Sequence, residues 1–98
     1  MYHIFLLFVY RQMQQKIRVI LIERILIMYE HYYVNDNQTF NPGLHHEVHT
    51  KEHATILGIA SKTYVGYFSN EFDAVNSAKN IYQDADGCAI CCHKAHRG

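Results

Sequence analysis

The chain has 98 residues, which is enough for one small domain. Hydrophobic residues make up 49% and charged residues 18% of it, a composition that excludes intrinsic disorder. Nine basic and nine acidic residues cancel without forming a basic stripe, so we expect no nucleic-acid partner. The three cysteines are an odd number, unlike a secreted disulfide framework. We therefore expect a cytoplasmic protein with free or metal-bound thiols.

Two apolar runs, residues 4–10 and 17–29, fill the N-terminal third. Neither reaches the roughly 20 apolar residues of a membrane-spanning helix, and no basic residue precedes the first run as in a signal peptide. One interpretation is a helix over residues 5–30, packed on the domain or on a second copy of it. A second is a native start near Met28. The β-branched content of residues 16–27 equally suits a strand.

The sequence changes character after Tyr33, so we divide it into an apolar segment, residues 1–33, and a small domain, residues 34–98. Turn-forming residues at 35–38 and 41–43 open the domain. Residues 45–50 are predicted to form a strand. On a strand His45, Glu47 and His49 share one face, and three ionisable side chains in line suit solvent or a site rather than a core.

The next two segments differ in how strongly they predict structure. Residues 54–60 are apolar around Gly58 and suit either a strand or a covering loop. Residues 63–68 form the best strand pattern of the chain. Gly66 within that strand indicates a bulge or a close approach of backbone.

The best helix pattern follows, with Ser69 or Asn70 as its cap. Its apolar stripe recurs at spacings of three and four and consists of Phe72, Val75, Ala78 and Tyr82 (or Ile81). Residues 84–87 are predicted to turn, and residues 88–92 to form a last strand. This order predicts a small α+β domain, an antiparallel sheet of about three strands with one main helix across a face.

Cysteine and histidine cluster in two places. The last eleven residues hold all three cysteines and two histidines, and four more histidines lie within residues 45–53. Zinc takes both residue types at tetrahedral corners. The predicted ligands are Cys88, Cys91, His49, His53 and His96, with His93 as an alternative to His96.

A geometric objection stands against that site. Residues three apart on a strand point to opposite faces, so Cys88 and Cys91 can share one ion only if the chain turns at Ala89-Ile90, which is poor turn chemistry. The competing interpretation makes Cys88 or Cys91 a small core residue.

Several short motifs resemble a family of short uncharacterised bacterial proteins. In this chain they are His46-Glu47-Val48-His49, Tyr64-Val65-Gly66-Tyr67-Phe68-Ser69, Ala74-Val75 with Ala78-Lys79 and Tyr82, Asp86-Gly87-Cys88 with Cys91, and His96. The resemblance covers about residues 45–97 and implies no established activity. The family pattern has cysteines where this chain has His53 and Ala95. If those two form a pair in the family, this chain lacks the pair or has rebuilt it with His53 and Cys92.

Catalytic interpretations are weaker. The run His46-Glu47-Val48-His49 is one residue short of the helical metalloprotease motif. Cys91 or Cys92 beside His49 or His93 would form a Cys–His pair, but no helix follows to activate the thiol. We assign no catalytic residue. The sequence predicts a non-catalytic binding or structural module that binds zinc or self-associates as a homodimer, with a small thiol- or metal-dependent enzyme as the alternative.

Overall fold

The computed structural model of the protein describes residues 2–40 and 43–98. In this part of the chain a long helix precedes a four-stranded sheet, a two-stranded ribbon and two shorter helices. In chain order the elements are α1 (Tyr2–Met28), β1 (Glu30–Asn35), β2 (Thr39–Phe40), β3 (Leu44–His45), β4 (Glu47–Thr50), α2 (Lys51–Ile56), β5 (Lys62–Phe68), α3 (Glu71–Ala78) and β6 (Asp86–Gly87). The predicted α+β class is confirmed.

The sheet has the strand order β5-β1-β4-β6. Strand β1 pairs antiparallel with β5 on one side and with β4 on the other. The sheet thus has the expected number of antiparallel strands, but its third member is β1 and not the predicted strand at residues 88–92. The short β6 adds a fourth strand, parallel to β4. The central strand β1 was not predicted, because it follows directly on the apolar run and carries no turn signal before it.

Helix α3 covers one face of the sheet. Asn70 caps the helix, since its Oδ1 accepts a hydrogen bond of 2.9 Å from the backbone N–H of Asp73. The core beneath α3 is formed mostly by small and β-branched side chains, and its members are Tyr32, Val34, Val48, Ala74, Val75, Ala78, Ala85, Cys92 and Ala95. Of the predicted stripe, Val75 and Ala78 are buried and Tyr82 is half-buried, but Phe72 is exposed.

Two local predictions are wrong, and a third holds only in part. Residues 45–50 do not form one strand, because β3 pairs with β2 in the separate ribbon and only β4 joins the sheet. Of residues 54–60, predicted as a strand or a loop, 54–56 end α2 and 57–60 form a loop. Residues 88–92 form turns that follow β6, whereas residues 86 and 87, placed in a turn from the sequence, are the strand.

The bulge expected at Gly66 is present. The register between β1 and β5 shifts after the pair Tyr32–Gly66, because Tyr33 pairs with Tyr64 and Val65 is the extra residue. Gly66 has φ +147°, and a Cβ added there would lie 2.8 Å from a ring carbon of Phe68. Both the backbone angle and the ring therefore require glycine at this position.

Helix α1 extends away from the domain. The molecule measures 70 × 23 × 21 Å, and every described side chain of α1 except Gln14 is exposed. Packing of this segment on its own domain, one of the alternatives left open by the sequence, is therefore wrong. Among the described residues, no helix combines the length and the apolar composition that a bilayer crossing requires.

Asp36 joins three parts of the domain just after β1. Its carboxylate accepts hydrogen bonds from the hydroxyls of Thr63 at 2.6 Å, Ser61 at 2.9 Å and Tyr82 at 3.0 Å. The bond from Thr63 is the main reason that the pKa of Asp36 is below its usual value, and those from Ser61 and Tyr82 add to it. Ionisation of the Asp36 carboxylate therefore stabilises the folded state.

We expect Asp36→Asn to reduce the free energy of unfolding near pH 6. Because the pKa is lower in the folded state, the stabilisation by Asp36 is present above its unfolded pKa and is lost as pH falls through the folded value. Urea unfolding of both proteins at several pH values measures this. The difference between them should shrink below about pH 3.8, and a difference constant from pH 6 to pH 3 would contradict the role of the charge.

Candidate metal centre

The junction between β4 and α2 brings two histidines together. His49 is the third residue of β4, and His53 lies in the first turn of α2. Between them Thr50 ends the strand and caps the helix, its Oγ1 accepting the backbone N–H of His53 at 3.3 Å. Because Val48 points into the core, the alternation of the strand places His49 on the opposite face. The change from strand to helix at Thr50 thus places the two imidazole rings side by side.

The chain end brings the cysteines to the same place. After β6 the chain turns, with the N–H of Cys92 donating to the carbonyl of Cys88 at 2.9 Å. The N–H of Ile90 donates to Cys88 Sγ at 3.4 Å, so the sulfur itself helps to hold the turn. A Cβ added to Gly87 would lie 2.6 Å from the carbonyl oxygen of Cys92, and only glycine allows this approach. The turn removes the geometric objection, since Cys88 and Cys91 now face one point.

Four predicted ligands therefore converge, namely His49, His53, Cys88 and Cys91. One ligand atom from each lies within 4.8 Å of all the others. The Nδ1 atoms of the two histidines are 3.4 Å apart. Cys88 Sγ lies 3.6 Å from His53 Nδ1, and Cys91 Sγ lies 3.8 Å from His49 Nδ1. His49 and Cys88 are 2% and 3% exposed, so half of the cluster is shielded from water.

These distances match the edges of a zinc tetrahedron. With bonds of about 2.05 Å to nitrogen and about 2.3 Å to sulfur, two nitrogens lie about 3.3 Å apart, and a nitrogen and a sulfur about 3.6 Å apart. The distances between the side chains differ from these values by no more than about 0.2 Å. Two thiolates and two imidazoles are also the donor set that zinc takes in closed sites.

A carboxylate orients one of the imidazoles. Glu47 Oε2 lies 3.5 Å from His49 Nε2, and both side chains are buried. Nδ1 of His49 lies on the side of Cys91, so in the tautomer that leaves Nδ1 free to bind a metal the proton is on Nε2, toward Glu47. Carboxylates in this position fix the tautomer and the ring plane of a ligating histidine. The sequence analysis placed Glu47 and His49 on one face but did not assign Glu47 this role.

The thiols differ in acidity. Burial raises the pKa of Cys88 above its usual value, although the N–H groups of Cys91 and Ile90 partly oppose this effect. A hydrogen bond with the thiol of Cys92, whose sulfur lies 3.8 Å away, lowers the pKa of Cys91, and a hydrogen bond with His49 adds to this effect. Cys92 is fully buried in the core, and its pKa is correspondingly raised, chiefly by this hydrogen bond to Cys91.

The remaining predicted residues lie outside the cluster. His96 Nδ1 donates to the carbonyl of Gly87 at 2.9 Å and so secures β6. His93 is exposed, Cys92 belongs to the core, and Ala95 is buried in that same core. His53 and Ala95 stand where the family pattern given above has cysteines. Of these two residues, His53 belongs to the cluster and Ala95 does not.

Comparison of the chain with models of protein families, with curated proteins and with solved structures finds no match. The resemblance to short bacterial proteins stays a prediction.

Proposed function

We propose that this chain is a small non-catalytic module that holds one zinc ion through His49 Nδ1, His53 Nδ1, Cys88 Sγ and Cys91 Sγ. The observation that carries the proposal is the agreement of the three measured separations, 3.4, 3.6 and 3.8 Å, with the edges of a zinc tetrahedron. His96 is left out of the ligand set, because it is not among the four residues whose ligand atoms converge.

The ligand count favours a structural ion over a catalytic one. Catalytic zinc sites keep three protein ligands and one position for water, whereas structural sites have four protein ligands. Here four side chains supply every corner of the tetrahedron. The enzyme alternative from the sequence analysis, which uses the same residues, therefore has less support than a structural role.

A zinc ion at this place would join three separate parts of the domain. His49 comes from the sheet, His53 from a helix of six residues, and the cysteines from the turns at the chain end. A domain of this size has a small core, and metal binding would supply folding free energy that the core lacks. We place the module in the reducing cytoplasm, where its three thiols stay reduced.

The metal content of untagged full-length protein, purified under reducing conditions, tests the proposal. We expect about one zinc per chain by inductively coupled plasma mass spectrometry. A histidine tag is avoided because it binds metal. A folded protein that carries no metal after incubation with zinc would overturn the proposal and return Cys88 to the role of a buried core residue.

Glu47→Ala is expected to weaken zinc binding by about 10- to 100-fold, the usual cost of removing a carboxylate behind a ligating histidine. Competition with a chromophoric zinc chelator measures the dissociation constant. Glu52→Ala is the matched control, since Glu52 is exposed in α2 and lies outside the cluster. Equal affinity in the Glu47 and Glu52 variants would show that Glu47 does not orient His49.

A further inference from the structure

Helix α1 presents an apolar surface to solvent along its length. Its 27 residues span about 40 Å, and the exposed fractions of its large apolar side chains reach 77% at Ile27. A helix that is apolar on several sides is normally covered by another element. The described part of the chain does not cover it, which favours a cover from a second molecule.

One stripe of α1 has the spacing of a paired helix. Side chains recur at alternating steps of four and three residues along Leu6, Tyr10, Met13, Ile17, Ile20, Arg24 and Ile27. The six apolar members of this seam are 47% to 77% exposed. A repeat of 3.5 residues per turn keeps such a seam facing a second helix over its whole length, as in two-stranded coiled coils.

The charged residues on this helix select the direction of pairing. In a parallel pair of identical helices each residue meets its own copy, so two Arg24 side chains would face each other within the apolar seam. In an antiparallel pair with its two-fold axis between Ile17 and Ile20, Arg24 lies beside Met13 of the other copy instead. The same axis places Lys16, which flanks the seam, opposite Glu23 of the other copy, and does so twice.

We propose that the chain forms a homodimer in which α1 pairs antiparallel with α1 of a second copy. Ile17 and Ile20 form the centre of the interface, and two Lys16–Glu23 ion pairs flank it and set the orientation. The two domains then lie at opposite ends of the paired helices. Because the seam is remote from the Cys/His cluster in sequence and structure, this proposal does not depend on zinc binding.

Charge reversal in full-length protein tests both the pairing and its direction. Lys16→Glu and Glu23→Lys alone should each weaken self-association by at least about tenfold, because two attractive pairs become repulsive. An equimolar mixture of the two variants should recover the original dissociation constant through heterodimers, since the glutamate introduced into one chain then meets the lysine introduced into the other. Sedimentation equilibrium measures all of these. Arg18→Glu is the matched control, because Arg18 is exposed on α1 but lies outside the seam.

Ile17→Glu with Ile20→Glu should give a monomer at all concentrations measured. Far-ultraviolet circular dichroism and a cooperative thermal unfolding transition of each variant show that the helix and the domain are intact. The proposal is overturned if the unmodified protein is a monomer, if it is recovered on phosphatidylcholine vesicles instead of as a dimer, or if its assemblies respond equally to Lys16→Glu and Arg18→Glu. Recovery on mixing the two single variants is the result that a parallel pair does not give.

Discussion

Removal of zinc with excess EDTA is expected to lower the thermal midpoint of the domain by about 15–30 °C. A ligand present at a thousand times its dissociation constant stabilises the folded state by about 4 kcal/mol. In a domain of 60 to 100 residues each kcal/mol shifts the midpoint by about 4–8 °C. The effect is large because the proposed ion would tie the end of the chain, through the two cysteines, to β4 and α2, through the two histidines.

Thermal unfolding followed by circular dichroism at 222 nm, with and without EDTA, measures this shift. EDTA that has been saturated with zinc beforehand is the control, because it reproduces the chelator without removing the ion. Addition of excess zinc to the stripped protein should restore the original midpoint. An unchanged midpoint in a sample shown to be free of zinc would mean that the ion does not stabilise this fold.

Substitution of any one of the four proposed ligands is expected to abolish stoichiometric zinc binding. Cys88→Ser, Cys91→Ser, His49→Asn and His53→Asn each leave three protein ligands. The loss in affinity should exceed about 100-fold, the upper end of the cost of disturbing a residue behind a ligand. Zinc content after gel filtration, together with chelator competition, measures the loss. Each variant should also show a lowered thermal midpoint, since the metal and the fold are coupled.

Two substitutions serve as controls. A third, at His96, distinguishes the ligand set predicted from the sequence from the set that converges in the structure. Cys92→Ala removes a buried thiol without removing a ligand, and His93→Asn removes an exposed histidine. Both should retain one zinc per chain. His96→Asn should also retain it, because His96 lies outside the four residues whose ligand atoms converge. Loss of zinc in the His96 variant with retention in the His53 variant would contradict the assigned ligand set.

The elements that could be predicted are those with strong local signals. Strand β5 has a dense run of aromatic and β-branched residues, and α3 has a cap at Asn70 followed by apolar residues at helical spacing. Helix α2 has six residues, which is too short to show a period, and it depends on the Thr50 cap. Strand β1 becomes central only through pairing with β4 and β5, and sequence periodicity does not report such pairing.

The candidate site could be predicted in its residues but not in its geometry. The clustering of histidine and cysteine indicated His49, His53, Cys88 and Cys91, and these four converge. The turn that unites the cysteines has no turn-forming residues. It is stabilised instead by contacts between residues that are not neighbours in sequence, which a local sequence pattern does not reveal. These include the close approach at Gly87 and the bonds from the backbone N–H groups of Arg97 and Gly98 to Asp86.

The long-range bonds also explain why His96 does not converge with the other predicted ligands. Asp86 draws the end of the chain alongside β6, and His96 is thereby placed against Gly87 instead of beside the thiols. Spacing alone could not distinguish His96 from the residues that do converge, because it lies as close to the cysteines in sequence as a zinc ligand would.

X-ray absorption at the zinc edge of untagged, zinc-loaded protein tests the central claim most directly. The account predicts two sulfur ligands at about 2.3 Å and two nitrogen ligands at about 2.0–2.1 Å, with no oxygen from water. Three sulfur ligands would mean that Cys92 also binds the ion and is not confined to the core. A shell of nitrogen and oxygen alone would mean that the ion is bound by histidines at the surface. Either result would contradict the closed site formed by His49, His53, Cys88 and Cys91.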